Sequence, residues 1–262
     1  MDIKMKAMNP RQFWNPFGAE YGWRPQWNFL ERFYIRTFGV VDLPSRLRAR
    51  AVLNSIRGLP ARNFLDFGSG TGCYSFYLAR KPAARVYCMD IDASRINDCE
   101  KIASQTGQEN ITFLTGSGHE RLQDFHSECM DMALAIEVLQ CVPDLNLFLL
   151  ELYRLLTPGG YFVGHVPVLG YLRKFERILL DDRVIKELLT QAGFEIKSIT
   201  PTFGSFTCQL CEVFGWLTRS RLMVGLFFPF LMLASTFFRV ASPNGNYRMF
   251  IAQKPIKPLT QS

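Results

Sequence analysis

One stretch, Asn63 to Tyr74, limits the folds open to this chain more than any other. Phe64 to Phe67 reads as a short buried strand. Gly68, Gly70 and Gly72 follow as a Gly-x-Gly-x-Gly turn, and Thr71 to Arg80 reads as the helix the turn opens. Glycines suit such a turn because it needs positive φ and lets the backbone approach a ligand closely. The helix N-terminus then offers free N–H groups and partial positive charge to a polar or anionic group. Strand, glycine turn and helix in succession predict the first unit of an α/β sheet with a nucleotide-type site.

The residues downstream extend that unit. Arg85 to Met89 reads as a second strand ending in Asp90-Ile91-Asp92. Asp90 lies 90 − 72 = 18 residues beyond Gly72. A carboxylate at the tip of a second strand can accept the hydroxyls of a ribose. Ala93 to Ser104 reads as a helix, Ile111 to Leu114 as a third strand, and Met130 to Ile136 as a fourth. Leu145 to Leu156 is an amphipathic helix. Thr157-Pro-Gly-Gly160 reads as a turn into a strand from Tyr161 to Val166. Asp181 to Ala192 is a helix, followed by strands Phe194 to Thr200 and, later, Tyr247 to Gln253. Alternation of this kind predicts a mostly parallel sheet covered on both faces.

Two regions depart from the pattern. Trp27 to Phe38 spaces Trp27, Leu30, Tyr34 and Phe38 along one helical face, with Arg24, Arg32 and Arg36 among the aromatics. It reads either as a helix packed on the core or as a lid that also touches lipid. A second helix, Leu43 to Ile56, carries Arg46, Arg48 and Arg50. Residues Pro201 to Asn246 separate the last two strands, and within them Leu222 to Phe238 is 17 residues without a charge. As a helix it would be about 26 Å long, at the lower limit for a ~30 Å hydrocarbon core. A single crossing is disfavoured, because the strands on either side belong in one sheet. The expected form is a helical hairpin with Thr207 to Thr218 as its first arm. It would dip into a membrane surface, the alternative being a hairpin folded onto its own domain. Arg219, Arg221 and Arg239 flank it, and the net charge of +7 suits an anionic surface.

Other classes are weaker fits. Met1 to Asn15 has no apolar run of the secretory type. The seven cysteines are odd in number and scattered, so reduced thiols and a cytoplasmic setting are expected, with Leu222 to Phe238 and the aromatic N-terminus placing the protein at the cytoplasmic face of a membrane. Cys208-x-x-Cys211 has no second ligand pair, and no metal is assigned.

Together these residues resemble the class I S-adenosylmethionine-dependent methyltransferases, in particular the broad group related to ubiquinone and menaquinone methyltransferases. Phe-Leu-Asp-Phe-Gly-Ser-Gly-Thr-Gly from 64 looks like the family's first motif, and Val-Tyr-Cys-Met-Asp-Ile-Asp from 86 like its ribose-binding strand end. Ile-Thr-Phe-Leu-Thr-Gly-Ser-Gly from 111 resembles the adenine-side loop. Asp131 to Leu139 and Arg154 to Gly160 resemble the later motifs. The resemblance implies a Rossmann-like seven-stranded α/β sheet with a reversed last strand and helices on both faces. The apolar helical insertion would precede that last strand. It divides the chain into an N-terminal aromatic segment (1–60), a cofactor-binding core (61–200), the insertion (201–246) and the last strand with its tail (247–262).

The resemblance also assigns roles. The cofactor would be S-adenosyl-L-methionine. Asp66 would orient the glycine loop and the methionine ammonium, and Gly68, Ser69, Gly70 and Gly72 would pass the backbone beside the ligand. Asp90 would hold the ribose, with Ile91 against the adenine. Ile136 and Glu137 would border the methionine end. Ser117 stands where the adenine loop usually carries Asp, and Cys141 where a His is common. His165 and Glu137 are the candidate bases near the acceptor, though His165 reads first as a packed or hydrogen-bonded strand residue and Glu137 equally as a ligand-positioning group. Tyr171 and Arg173 are candidates to line the acceptor pocket. Methyl transfer from a sulfonium chiefly needs positioning and exclusion of water, so no obvious catalytic dyad is required.

A nicotinamide dehydrogenase would use Gly-x-Gly-x-x-Gly instead. A nucleic-acid methyltransferase lacks its Asp/Asn-Pro-Pro-aromatic motif here, so no nucleic-acid partner is expected. A degenerate fold serving as a membrane partner protein would not need Asp66, the glycines and Asp90 intact. The expected acceptor is a small lipophilic molecule such as a quinone, prenyl-lipid or glycolipid, met at a membrane surface. A soluble polar acceptor is the alternative.

Overall fold

The computed structural model describes residues 42–116, 118–168, 180–217, 219–236, 240 and 242–256. Seven strands lie among them: β1 (Asn63–Phe67), β2 (Arg85–Asp90), β3 (Ile111–Thr115), β4 (Met130–Ile136), β5 (Leu156–Pro167), β6 (Glu195–Thr202) and β7 (Tyr247–Gln253). They form one sheet in the order β3-β2-β1-β4-β5-β7-β6. β1 pairs in parallel with β2 and β4, β2 with β3, and β4 with β5. β7 runs antiparallel to both β5 and β6. The order therefore reverses between β1 and β4, and the crevice outside the carboxyl ends of these strands is where ligands of open α/β sheets bind.

Alternation along the strands builds two cores. Leu65, Phe67, Ala133, Ala135, Phe162 and Phe250 enter one cluster, while Phe64, Met132, Leu134, Ile136, Val163 and Met249 enter another. Successive side chains on a strand point to opposite faces, so these are the two faces of the sheet. Helices α1 (Leu43–Ile56), α2 (Cys73–Leu78) and α3 (Ala93–Thr106) cover the second cluster. Helices α4 (Gly118–Leu122), α5 (Leu145–Leu155) and α6 (Asp182–Gln191) cover the first.

The expected turn at Thr157–Gly160 instead continues the strand, and β5 begins at Leu156. Backbone pairing is the reason. Gly159 N–H donates to Lys254 O at 2.8 Å, and Lys254 N–H donates to Gly160 O at 2.9 Å. Lys254 is buried, and its ammonium donates to Leu156 O at 2.8 Å, which fastens the two ends together. β6 likewise runs on through Pro201 to Thr202. Proline is tolerated there because β6 is the edge of the sheet, where a missing N–H costs no ladder bond.

Between β6 and β7 stand α7 (Ser205–Leu217) and α8 (Arg221–Thr236), packed on one another as a hairpin, with Pro229 inside α8. Phe214 and Phe228 of the hairpin join Leu43 and Leu47 of α1, Phe203, Cys208 and Val240 in a third core. The opposite face is apolar and open: Phe206, Trp216, Leu222, Leu226, Phe230 and Leu233 are exposed, Leu222 and Phe230 to 70%. No described helix is long and apolar enough to cross a membrane. The expected helix Trp27–Phe38, and Ser117, Tyr171 and Arg173, lie outside the described residues.

Candidate active site

The site is built on the loop after β1. Gly68, Gly70 and Gly72 all have positive φ, at 68°, 57° and 73°. At Gly68 a side chain is excluded twice over, by that φ and because a Cβ would come 2.5 Å from Val138 Cγ2. Gly72 is the N-cap of α2, which is why the helix starts at Cys73 rather than at Thr71. A glycine cap has no side chain to offer the first amides of the helix. Asp66, from β1, supplies one: its Oδ2 accepts from Ser75 N at 3.0 Å and from Ser75 Oγ at 2.7 Å. Asp66 is 1% exposed. Burial pushes its carboxyl up to about 6, a rise that the Ser75 bonds oppose and the charge of Asp90 reinforces.

Asp90 ties the loop from the second strand. Its Oδ2 accepts from Gly70 N at 2.7 Å and its Oδ1 from Asp92 N at 2.9 Å. Ser69 N–H donates to Met89 O at 2.9 Å, and Cys88 Sγ donates to Ser69 Oγ at 3.1 Å. Ile91 stands out at the rim, 71% exposed, and Ile136 is buried at the end of β4.

Glu137 follows directly and has φ 61°, rare for a residue with a side chain. Two bonds hold its backbone: Glu137 N–H donates to His165 O at 2.8 Å, and Gln140 Nε2 donates to Glu137 O at 3.0 Å. Its Oε1 lies 2.6 Å from His165 Nδ1, and its Oε2 lies 3.9 Å from Arg48 Nη1. His165 Nε2 lies 3.0 Å from Thr202 Oγ1. The imidazole is fully buried, stacked on Tyr247 at 5.2 Å and edge-on to Phe203 at 5.8 Å. Burial works against the Arg48 cation, but its neighbours Tyr74 and Glu137 outweigh that and hold its pKa above the ordinary value. Burial also pushes the Tyr74 hydroxyl well up, so it is neutral and serves Arg48 as a hydrogen-bond acceptor.

The structure thus gathers Asp66, Gly68, Ser69, Gly70, Gly72, Asp90, Ile136, Glu137 and His165 around the switch point, with Ile91 at its edge. Arg48, Tyr74, Gln140 and Thr202 join them without having been singled out in the sequence. Cys141 closes the short 3-10 turn Leu139–Cys141 and is exposed.

A methyltransferase-domain family model matches residues 60–196, a little over half the chain. The chain belongs to this family. Among curated relatives, it is 26% identical over 166 residues to a ribosomal protein L11 methyltransferase of Listeria monocytogenes, covering 60% of this chain and 48% of that protein. It is 26% identical over 166 residues to the ubiquinone/menaquinone biosynthesis C-methyltransferase UbiE of Rickettsia typhi, covering 60% of each. It is 31% identical over 103 residues to a fatty-acid O-methyltransferase of Mycolicibacterium smegmatis, covering 39% of this chain and 36% of that protein. The chain thus spans about half the length, or less, of several curated relatives it matches. Among solved structures, the phosphoethanolamine N-methyltransferase 2 of Haemonchus contortus, in complex with S-adenosylhomocysteine, superposes with a TM-score of 0.59. That pair is 17% identical and covers 78% of this chain and 52% of the other, a likeness of fold.

The cofactor of this fold is S-adenosyl-L-methionine, and the residues present fit it. The glycine cradle leaves no room for a Cβ at Gly68. Asp90 uses one bond on each carboxylate oxygen and keeps acceptor capacity for ribose hydroxyls. Gln140 Oε1 is buried with no hydrogen-bond partner among the described residues, a vacancy that a ligand donor would fill.

Proposed function

We propose that this chain is an S-adenosylmethionine-dependent methyltransferase acting on a small lipophilic acceptor at the cytoplasmic face of a membrane. The glycine cradle tied down by Asp66 and Asp90 is the observation that carries the methyl-transfer part. Gly68, Ser69, Gly70 and Gly72 pass the backbone along the cofactor. Asp90 takes its ribose, Ile91 borders the adenine, and Ile136 and Glu137 border the methionine end. The cofactor supplies an electrophilic methyl group on a sulfonium. The chain supplies position, a dry pocket and a place for the acceptor's proton.

The lipophilic part is supported by two kinds of observation. Two relatives, by their names, act in quinone biosynthesis and on fatty acids. The hairpin exposes large apolar side chains from Phe206 to Leu233 along one face, beside Arg219 and within a chain of net charge +7. Its inner face is spoken for by Leu43 and Leu47, so it would lie in the interface with one side only.

The test is phase partition. The protein is incubated with methyl-labelled S-adenosylmethionine and host extract, and the organic and aqueous phases are separated. Label is expected in the organic phase. Label confined to the aqueous or macromolecular phase would replace the lipophilic acceptor with a polar one, and no transfer to either phase would remove the methyl-transfer reading.

A further inference from the structure

Resting on the methyl-transfer reading, we infer that Glu137 is the catalytic residue that takes the acceptor's proton. His165 and Thr202 hold Glu137 for that task without touching the acceptor. His165 cannot be the base in this arrangement. It is 0% exposed and both ring nitrogens are occupied, Nδ1 by Glu137 and Nε2 by Thr202. A carboxylate only accepts, so Nδ1 carries the hydrogen. In the neutral ring Nε2 is then the acceptor, and the Thr202 hydroxyl donates to it.

Glu137 is the end of the chain that faces outward, with its side chain 18% exposed. Oε1 is taken by the imidazole. Oε2 has Arg48 at 3.9 Å, beyond hydrogen-bond length, and keeps its lone pairs for a ligand. The positive φ at Glu137 is an unfavourable conformation for a side-chain-bearing residue, and bonds at its N–H, its carbonyl and its Oε1 retain it. The Glu137, His165 and Gln140 atoms so engaged sit at the carboxyl ends of β4 and β5, beside the orphaned Gln140 Oε1.

The step balances with these groups. As the acceptor's lone pair forms its bond to the methyl carbon, the carbon–sulfur bonding pair stays with sulfur. The acceptor's proton moves to Glu137 Oε2. The positive charge of the donor and the negative charge of the carboxylate disappear together. The acceptor is therefore of the kind whose reacting atom must lose a proton, such as a hydroxyl, and not a carboxylate already ionised.

Two readouts test this on the full chain. Nitrogen-15-histidine NMR is expected to show His165 protonated at Nδ1, with a downfield ring N–H proton that moves upfield in Glu137→Gln. Thr202→Val is expected to shift Nε2 instead. In the organic-phase transfer assay, Glu137→Gln is expected to lose about 100-fold or more. Its affinity for S-adenosylhomocysteine, read by calorimetry, is expected to fall far less than its transfer, because Glu137 also borders the methionine end; equal losses would make Glu137 a cofactor contact only and overturn the inference. Thr202→Val is expected to lose about 3- to 10-fold in transfer, as suits a residue acting through another. His165 protonated at Nε2, or an N–H proton indifferent to Glu137→Gln, overturns the inference, as does transfer by Glu137→Gln close to that of the unaltered protein. An unaltered protein that binds S-adenosylhomocysteine but transfers nothing defeats the methyl-transfer reading instead, and the ring N–H proton still decides the arrangement around Glu137.

Discussion

Two regions of the sheet solve opposite problems. At β1 and β2 the chain buries charge: Asp66 and Asp90 are almost wholly enclosed, and each carboxylate is spent on amides of the glycine loop or of the helix behind it. Beyond β6 it does the reverse and exposes apolar side chains, from Phe206 to Leu233, while the hairpin's inner residues pack on α1. Enclosed carboxylates are costly and exposed aromatics are wasteful, unless each is kept for something outside the chain. The first region is rigid because many short bonds converge on few atoms. The second is held by packing along one face only. α1 serves both, Leu43 and Leu47 gripping the hairpin while Arg48, the next residue, lies 3.9 Å from Glu137.

Substitutions can break this contrast or sharpen it. The largest effect is expected at Phe228, fully buried where the hairpin meets α1. Phe228→Ala should cost about 3–5 kcal/mol of stability in denaturant titration, mostly as loosening of the hairpin. If S-adenosylhomocysteine binding fell equally, the two regions would not be separable. Gly68→Ala comes next, at roughly 2–4 kcal/mol from positive φ and the Val138 contact together. It should abolish measurable S-adenosylhomocysteine binding in calorimetry and leave vesicle association alone.

The third prediction concerns pH. The Asp66 carboxyl titrates near 6 in the folded chain and at the ordinary 3.8 when unfolded. Between those values the folded chain holds the extra proton, so stability is greatest below the lower value and is lost as pH rises through the upper one. The size is roughly 3 kcal/mol, and Asp66→Asn should flatten that slope in melts between pH 4 and pH 7. A slope unchanged by the substitution would move its origin elsewhere. The smallest effect on stability, within about 0.5 kcal/mol, is expected for Phe230→Ser on the exposed face. In flotation with vesicles of phosphatidylcholine and phosphatidylglycerol, the same variant should bind several-fold more weakly. Equal flotation would take the membrane away from the hairpin.

Much of the cofactor half could be read from the sequence because it is local. Strand, glycine turn, helix and Asp90 fall within 30 residues, and each signal has one physical reading. The hairpin was legible for the same reason, as uncharged residues in sequence. The acceptor end was not. His165 and Thr202 meet only because β7 lies between β5 and β6, which places Tyr247 beneath both, and no spacing in the sequence states that order. Arg48 gave no signal of its own, being one of three arginines two residues apart on a helix, a pattern that points all round its axis. The extended course of Thr157 to Gly160 was hidden behind Pro158 and two glycines, and its bonds to Gln253 and Lys254 explain it.

The place of β7 has a consequence for the order in which the protein is made. β5 and β6 do not pair with each other, and each waits for a strand that the ribosome delivers only after the whole hairpin. Once the hairpin is made and until β7 follows, the newly made chain would carry an open sheet edge and an apolar hairpin side by side. A membrane that received the hairpin then would shield it while the sheet was still incomplete. Chains stalled before Tyr247 should therefore float with vesicles while β5 stays open to protease, and protection of β5 should begin only when Gln253 has emerged.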